Sequence, residues 1–71
     1  MSGRHMKSTI NGIVHDIPEN CTLDQLLEQL DITPQSVVVE MDGTILRPTE
    51  EGETVIPSNS TIEIIRFVGG G

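Results

Sequence analysis

The sequence predicts an α+β fold in which one helix packs across one face of a single mixed sheet. Two dipeptides that favour tight hairpin turns, Asn11-Gly12 and Asp42-Gly43, each lie between segments rich in β-branched residues. A segment with helical spacing separates these two hairpins, and the apolar run at 60–68 alternates like a strand. If that last strand lies beside the first in parallel, the carboxyl end of the chain leaves from the middle of the sheet.

The first hairpin and the helix follow from local signals. Residues 6–10 alternate weakly, Asn11-Gly12 favours a type I′ turn, and residues 13–17 resume a strand pattern. Thr22 and Gln25 then match a capping box. Leu23 follows Thr22, and further leucines lie three, four and seven residues after Leu23, at Leu26, Leu27 and Leu30. We expect an amphipathic helix of about two to three turns, in a region whose end is marked by Pro34.

The second half of the chain predicts another hairpin, a loop and a closing strand. Residues 37–41 alternate, and Asp42-Gly43 turns the chain into 44–46. Prolines, Gly52 and glutamates interrupt residues 47–59, so we expect mostly loop there, with room for one short strand or helical turn. Val55 and Ile56 are expected to pin this loop to the core. In the closing strand, Ile62 and Ile64 share one face.

Length and charge exclude several classes of function. A chain of 71 residues forms one small domain without room for a deep active site. Its net charge of −7 argues against nucleic acid and anionic membrane as partners, because neutralising phosphates needs Lys and Arg. No apolar run is long enough for a membrane span or secretory signal. The chain has a single cysteine, Cys21, for which we expect a structural or incidental role. From these features together we expect a cytoplasmic protein.

We divide the chain into three parts. Residues 1–5 are polar, lack a pattern and precede Met6, so they are interpreted as an expression remnant. Residues 6–68 form the domain, and residues 69–71 form a flexible glycine tail. Three consecutive glycines need a reason, since glycine loses the most entropy on ordering. Gly69, Gly70 and Gly71 either thread into a narrow channel of a partner enzyme and present the Gly71 carboxylate to ATP, or they are a frayed terminus.

The sequence offers no catalytic residue and no metal ligands. His15 lies in a predicted strand without a matching Cys or carboxylate group. The acidic cluster at 50–53 lacks the spacing of a calcium loop. There is no phosphate-binding glycine loop with its lysine, so if the tail is presented to ATP, we expect the partner to hold the nucleotide. For docking to that partner we expect Phe67 and Val68 as anchors and Arg66 as a pair for an acidic group, with packing against the domain as the alternative.

The combined order of these motifs resembles the ThiS family, the sulfur carriers of bacterial thiamin thiazole synthesis. The resemblance runs from Met6 to Gly71 and rests on the Asn11-Gly12 turn, the helix start at 22–27, the strand and turn at 37–43, and the ending at 64–71. It implies a ubiquitin-like β-grasp fold. Ser58-Asn59 stands where many relatives have an acidic residue and glycine, which leaves the geometry of that turn open.

The same resemblance implies a chemistry and a set of partners. A ThiF-like adenylating enzyme would activate the Gly71 carboxylate with ATP, and a cysteine desulfurase or persulfide protein would supply sulfur. The resulting thiocarboxylate would deliver sulfur to thiazole synthase. Gly71 is then the modified residue, Gly69 and Gly70 form the stem, and the carrier itself binds no cofactor stably.

Two other functions stay open from the sequence. One is a molybdopterin-type or other sulfur donor, since the chemistry of the terminal carboxylate is the same and only the partner surfaces differ. The other is a β-grasp interaction module, or a protein modifier joined to lysines through Gly71. An enzyme fits poorly, because the chain lacks a nucleophile, a base and a pocket in combination.

Overall fold

The computed structural model describes residues 4–67, which form five strands, two helices and one 3₁₀ turn. The strands are β1 (His5–Ile10), β2 (Ile13–Pro18), β3 (Val37–Met41), β4 (Thr44–Leu46) and β5 (Thr61–Arg66). The helices are α1 (Leu23–Gln29) and the single turn α2 (Pro48–Glu51), and the 3₁₀ turn is Pro34–Ser36. Strand β1 begins at His5, so it includes the last residue of the segment interpreted as an expression remnant.

The five strands form one mixed sheet in the order β2-β1-β5-β3-β4. The two hairpins, β1–β2 and β3–β4, are antiparallel, and β5 lies between them. It runs parallel to β1 and antiparallel to β3. The predicted parallel pairing of first and last strands is therefore confirmed, and the chain leaves the sheet from its central strand.

Both predicted hairpin turns are confirmed. Asn11 and Gly12 have φ angles of 50° and 84°, and Asp42 and Gly43 have angles of 50° and 89°. Positive φ at both central residues defines the type I′ turn, which matches the twist of the flanking strands. These two turns fix the register of the strands that flank β5.

Helix α1 begins with the capping box that the sequence predicts. The Thr22 hydroxyl accepts from the Gln25 N–H at 3.2 Å, and the Gln25 side chain accepts from the Thr22 N–H at 2.9 Å. The helix ends earlier than Pro34, because Asp31 takes a φ of 61° and the Ile32 N–H donates to the Leu27 carbonyl at 2.9 Å. This is a Schellman motif, and it terminates the helix before proline is reached.

The core lies between α1 and one face of the sheet. Helix α1 contributes three leucines that are at most 1 % exposed, and the facing strands contribute alternate apolar residues. The buried apolar set is Ile10, Ile17, Cys21, Leu23, Leu26, Leu27, Val37, Val39, Met41, Leu46, Ile56 and Ile62. The opposite face of the sheet carries no layer among residues 4–67, as expected for a single sheet covered by one helix.

The connection at 47–59 contains one helical turn, α2, which agrees with the expectation of a loop with room for one short strand or helical turn. Ile56 is buried as expected, at 1 % exposure, but the expectation for Val55 is wrong, since its side chain is 52 % exposed. Val55 forms an isolated antiparallel bridge with Thr22. Because side chains alternate along extended chain, only one of two consecutive residues can reach the core, and Ile56 takes that place.

The turn at Ser58-Asn59, whose geometry the sequence left open, uses asparagine in place of glycine. Asn59 has a φ of 62°, in the left-handed region that glycine and asparagine tolerate best. Its N–H donates to the Lys7 carbonyl at 2.8 Å, so the turn is joined to β1 immediately before β5 begins.

We predict that Asn59→Gly leaves the free energy of unfolding within about 0.5 kcal/mol of wild type, because glycine reaches the same φ without strain. Asn59→Val should lower it by about 1–2 kcal/mol, since a β-branched residue is strained at positive φ. Urea unfolding measures both. Equal stability of the two variants would contradict a conformational role for Asn59.

Candidate functional site

The candidate site is the carboxyl end of β5, the strand that leads into the glycine tail. On one side, β5 pairs with β3 from Val37–Arg66 to Met41–Ile62. On the other side it pairs with β1 over a shorter stretch, at Thr9–Thr61 and Ile10–Ile62. The first residues of β5 are therefore held on both sides, and its last residues are paired on the β3 side.

The first residues of the two hairpin turns also clamp β5 through their side chains. Asn11 Oδ1 accepts from the Ile64 N–H at 2.8 Å, and the Asn11 N–H donates to the Ile62 carbonyl at 2.8 Å. On the other side, Asp42 Oδ1 accepts from the Thr61 N–H at 2.8 Å, and the Asp42 N–H donates to the Thr61 carbonyl at 2.9 Å. Each turn residue thus satisfies two main-chain groups of β5 that its neighbouring strand does not reach.

A buried pair of hydroxyls holds the start of β5. Ser8 and Ser60 are at most 2 % exposed, and their Oγ atoms lie 3.0 Å apart. Ser8 Oγ also donates to the Ser60 carbonyl at 3.2 Å. Since an unpaired hydroxyl would be costly in this position, the two serines satisfy each other and join β1 to the entry of β5.

The tail anchors predicted from the sequence lie partly within the described structure. Arg66 and Phe67 are exposed, and Phe67 is 61 % exposed, so most of its side chain is not covered by the described domain. The Phe67 N–H donates to the Ser36 carbonyl at 3.0 Å, which extends the β3 side by one residue. Arg66 forms no ion pair with residues 4–67. Val68 and the glycines at 69–71 lie outside the described residues.

On the face of the sheet that α1 does not cover, β5 and its neighbour β3 carry a pair of acidic side chains and, next to it, a pair of apolar side chains. Glu40 and Glu63 are directly opposite each other on β3 and β5, and the next pair on the same face is Val38–Ile65. Like charges in this arrangement destabilise a sheet. Among residues 4–67, Lys7 forms an ion pair with Asp16 at 2.7 Å. No basic side chain of these residues forms an ion pair with Glu40 or Glu63.

The remaining candidate side chains do not form a reactive centre in the described part of the chain. Cys21 is buried at 2 % exposure, and burial raises the pKa of its thiol above the ordinary value of 9.0. His15 lies on the edge strand β2, opposite Ser8. No group of His, Cys, Asp or Glu among residues 4–67 is arranged to hold a metal ion. Over the same residues, none of the helices has the length and apolar character that crossing a membrane requires.

Comparison with known proteins identifies the family. The ThiS family matches residues 8–71, which include the described end of β5 and the three glycines. The chain belongs to the ThiS family. Membership of this family supports a role as a small sulfur carrier in thiamin biosynthesis.

A solved ThiS structure has the same fold. The thiamine biosynthesis protein ThiS of Geobacter metallireducens matches with a TM-score of 0.77 and 28% sequence identity, over 93% of this chain and 100% of that one. A five-stranded mixed sheet with one main helix is the ubiquitin-like β-grasp, which confirms the fold predicted from the resemblance to ThiS.

Two curated relatives of this ThiS-family chain differ greatly in length. A thiazole synthase of Magnetococcus marinus is 33% identical over 66 residues, which are 93% of this chain and 20% of that protein. The chain thus spans about a fifth of the length of that relative. The uncharacterised protein ycf40 of Porphyra purpurea is 31% identical over 71 residues, the full length of both.

Sequence reasoning assigned Asn11 and Asp42 only to turns and gave the two serines no role. Asn-Gly and Asp-Gly report a local backbone preference, but the bonds to β5 join residues that are 53 and 19 positions apart. The only available signal was that each turn begins with a side chain bearing an acceptor oxygen. For a ThiS-family chain, these residues matter because they fix the strand that carries the tail.

We predict that Asn11→Gly lowers the free energy of unfolding by about 1 kcal/mol, since it removes the acceptor for the Ile64 N–H while keeping positive φ accessible. Amide hydrogen exchange should accelerate at Ile64. Asp42→Gly is the matched change in the other turn and should accelerate exchange at Thr61 instead. Unchanged exchange at Ile64 in Asn11→Gly would contradict the clamp.

Burial of the Cys21 thiol predicts that the stability of the fold depends on pH. The raised pKa keeps the folded thiol protonated at a pH where the unfolded thiol already ionises. Its contribution to stability is therefore complete below 9.0, the ordinary value, and is lost as pH rises through the folded pKa. Urea unfolding of wild type and Cys21→Ala should show the stability of wild type relative to the variant falling above that pH. A constant difference would contradict the burial effect.

Proposed function

We propose that this chain carries sulfur as a thiocarboxylate on Gly71 and donates it to the formation of the thiamin thiazole. The observation that supports this most strongly is the ThiS family match, which extends through Gly71. The central strand β5 ends at Arg66, and Phe67 and Val68 separate it in sequence from the glycines. In this proposal the folded body holds out the terminal carboxylate, and Gly69 and Gly70 form a stem without side chains.

The chemistry begins with an unreactive group. A carboxylate repels nucleophiles and has no good leaving group, so a partner must first activate it. The Gly71 carboxylate attacks the α-phosphorus of ATP and pyrophosphate leaves, which gives an acyl adenylate. A persulfide sulfur then attacks the acyl carbon and AMP leaves. A second thiol of the donor loses its proton to solvent and attacks the donor-side sulfur of the acyl disulfide, so that the thiocarboxylate leaves on the carrier and a disulfide forms on the donor.

None of these steps needs an acid, a base or a metal from the carrier. We therefore assign ATP binding and catalysis to a ThiF-like adenylating enzyme, and sulfur supply to a cysteine desulfurase or persulfide protein. The sequence supports this division because it lacks a phosphate-binding glycine loop with its lysine. Since activation consumes ATP, we place the carrier in the cytoplasm.

The docking surface in this proposal surrounds the end of β5. Arg66, Phe67 and Val68 are the proposed contacts nearest the tail, and the exposure of the first two supports it. Ile65, at 48 % exposure, extends the apolar contact along the same strand. The Glu40–Glu63 pair favours a partner with basic groups at the centre of its own surface, because these would remove the repulsion between the two carboxylates.

Thiazole synthase is the proposed acceptor of the sulfur. Support comes from the relative in Magnetococcus marinus, a protein named thiazole synthase that contains a segment 33% identical to this chain. The presence of a segment similar to this chain within a protein of that name supports a pairing of carrier and synthase. This favours thiamin synthesis over a molybdopterin-type pathway.

The proposal predicts an ATP-dependent mass change. Incubation with the cognate adenylating enzyme, ATP and a sulfur source should increase the intact mass by the difference between sulfur and oxygen. Cys21→Ala should gain the same mass, because the proposed acceptor is the carboxylate and the Cys21 thiol is buried. Deletion of Gly71 should abolish the gain and leave the free energy of unfolding within about 0.5 kcal/mol of wild type.

Three results would contradict the proposal in different ways. A ladder of larger covalent species would indicate a protein modifier. A mass gain that disappears in Cys21→Ala would place the sulfur on the cysteine. Growth of a deletion strain that is restored by molybdenum cofactor, and not by supplied thiazole, would assign the carrier to the other pathway.

A further inference from the structure

Strand β5 lies between β1 and β3 at its first residues but becomes an edge strand at its carboxyl end. Pairing with β1 stops at Ile10–Ile62, because the chain reverses at Asn11-Gly12. The Asn11 side chain adds one more bond, to the Ile64 N–H. Beyond that point, β1 offers no further residues on this side, whereas β3 continues to pair as far as Arg66.

Successive residues of β5 direct their main-chain N–H and carbonyl groups to opposite sides of the strand. This alternation shows which groups face the side on which β1 has ended. Ile62 and Ile64 direct their main-chain groups towards β1 and Asn11, and Phe67 directs its N–H towards Ser36 on the β3 side. Arg66 therefore points its N–H and carbonyl towards the β1 side, since alternate residues of a strand bond to opposite neighbours. Among residues 4–67, no hydrogen bond reaches Arg66 N, Arg66 O or Ile64 O there. We call these three atoms the open edge of β5.

The short tail forces the partner close to this edge. Four residues follow Phe67, and even fully extended they span at most about 14 Å. An enzyme that activates the Gly71 carboxylate must therefore bring its ATP site, and the protein around it, up to the end of β5. An open strand edge inside such an interface would lose its bonds to water, which is costly unless the partner supplies replacements.

We propose that a segment of the adenylating enzyme pairs with the open edge of β5 as an added strand. The edge presents acceptor, donor and acceptor in the order Ile64 O, Arg66 N and Arg66 O. The partner segment supplies the matching N–H, carbonyl and N–H of its main chain, as in other cases of strand addition to a sheet edge. This inference rests on the proposed function, because it identifies how the proposed partner recognises the strand that leads to Gly71.

Strand addition explains how a tail without side chains can be positioned. Glycines offer few contacts of their own, so alignment must come from the residues before them. Main-chain pairing at Ile64 and Arg66 would set the direction of the following four residues, since a strand continues along the line of its neighbours. Side chains at Ile65 and Phe67 would remain available for the apolar contact already described.

Amide hydrogen exchange tests the pairing directly. In the free carrier, the Arg66 amide should exchange fast, while the amides of Ile65 and Phe67, which face β3 and Ser36, should exchange slowly. In the complex with the adenylating enzyme, exchange at Arg66 should slow at least about tenfold. Unchanged exchange at Arg66, in a complex that still loads sulfur, would overturn the inference and leave the proposed function intact. No sulfur loading of wild type would instead overturn the proposed function.

Proline substitution provides an independent test. Arg66→Pro removes the N–H at the open edge without removing a bond to β3, and Arg66→Ala removes only the side chain. The KM for the carrier in adenylation should be about tenfold higher for Arg66→Pro than for Arg66→Ala, the loss expected for one main-chain hydrogen bond. Equal KM values would contradict strand addition. If Arg66→Pro does not fold, the exchange measurement decides alone.

Val14→Pro is the matched control for proline on a free edge. Val14 lies on the outer edge strand β2, which β1 separates from β5. By the same alternation, the main-chain N–H and carbonyl of Val14 point away from β1. Its KM should equal that of wild type. A rise as large as that of Arg66→Pro would show that proline acts through general loosening of the sheet and would contradict a specific edge at Arg66.

Discussion

The pairing of β5 between β1 and β3 is the constraint on which the rest of the structure depends. It joins the last strand of the chain to the first and buries Ile62 in the core. It also places β5 between the two hairpins in one sheet. Such contacts are distant in sequence, so they form at a larger entropic cost than the hairpins themselves. Once formed, they make the strand before the tail the best-supported element of the fold. The strand that precedes residues 68–71 is therefore fixed in position.

The chemistry of the family and the architecture of this chain divide the work in the same way. In the proposed function, the carrier needs a reactive end, a rigid base and a surface that its partners recognise, and ATP binding and catalysis are assigned to the partner enzymes. The described residues provide the base through the clamps of Asn11 and Asp42 and the Ser8–Ser60 pair. The exposed Phe67 and the acidic sheet face are the surfaces that we propose for recognition. Cys21 is buried, and burial raises the pKa of its thiol, which makes the thiol a poorer nucleophile.

Much of this fold could be predicted from the sequence, because the decisive signals are local. Asn-Gly and Asp-Gly require positive φ at fixed places, and the Thr22–Gln25 capping box fixes the start of α1. The errors arose where tertiary contacts decide, as for Val55, which pairs with Thr22 and turns outward while Ile56 fills the core. The open edge of β5 could not be predicted, since it depends on where β1 ends relative to β5. Of the candidate site, the structure establishes the exposure of Arg66 and Phe67, while Gly69 to Gly71 rest on the family match.

The central claim is that sulfur is bound at the terminal carbonyl carbon while the folded body is unchanged. Carbon-13 NMR of chains labelled at the glycine carbonyl carbon tests this most directly, with the Gly71 deletion used to assign its resonance. After reaction with the adenylating enzyme, ATP and sulfur, the account predicts that the Gly71 resonance moves downfield, as a thiocarboxylate carbon must, and that Gly12, Gly43 and Gly52 do not shift. Sulfur bound to the chain while the Gly71 resonance stays in place would contradict it.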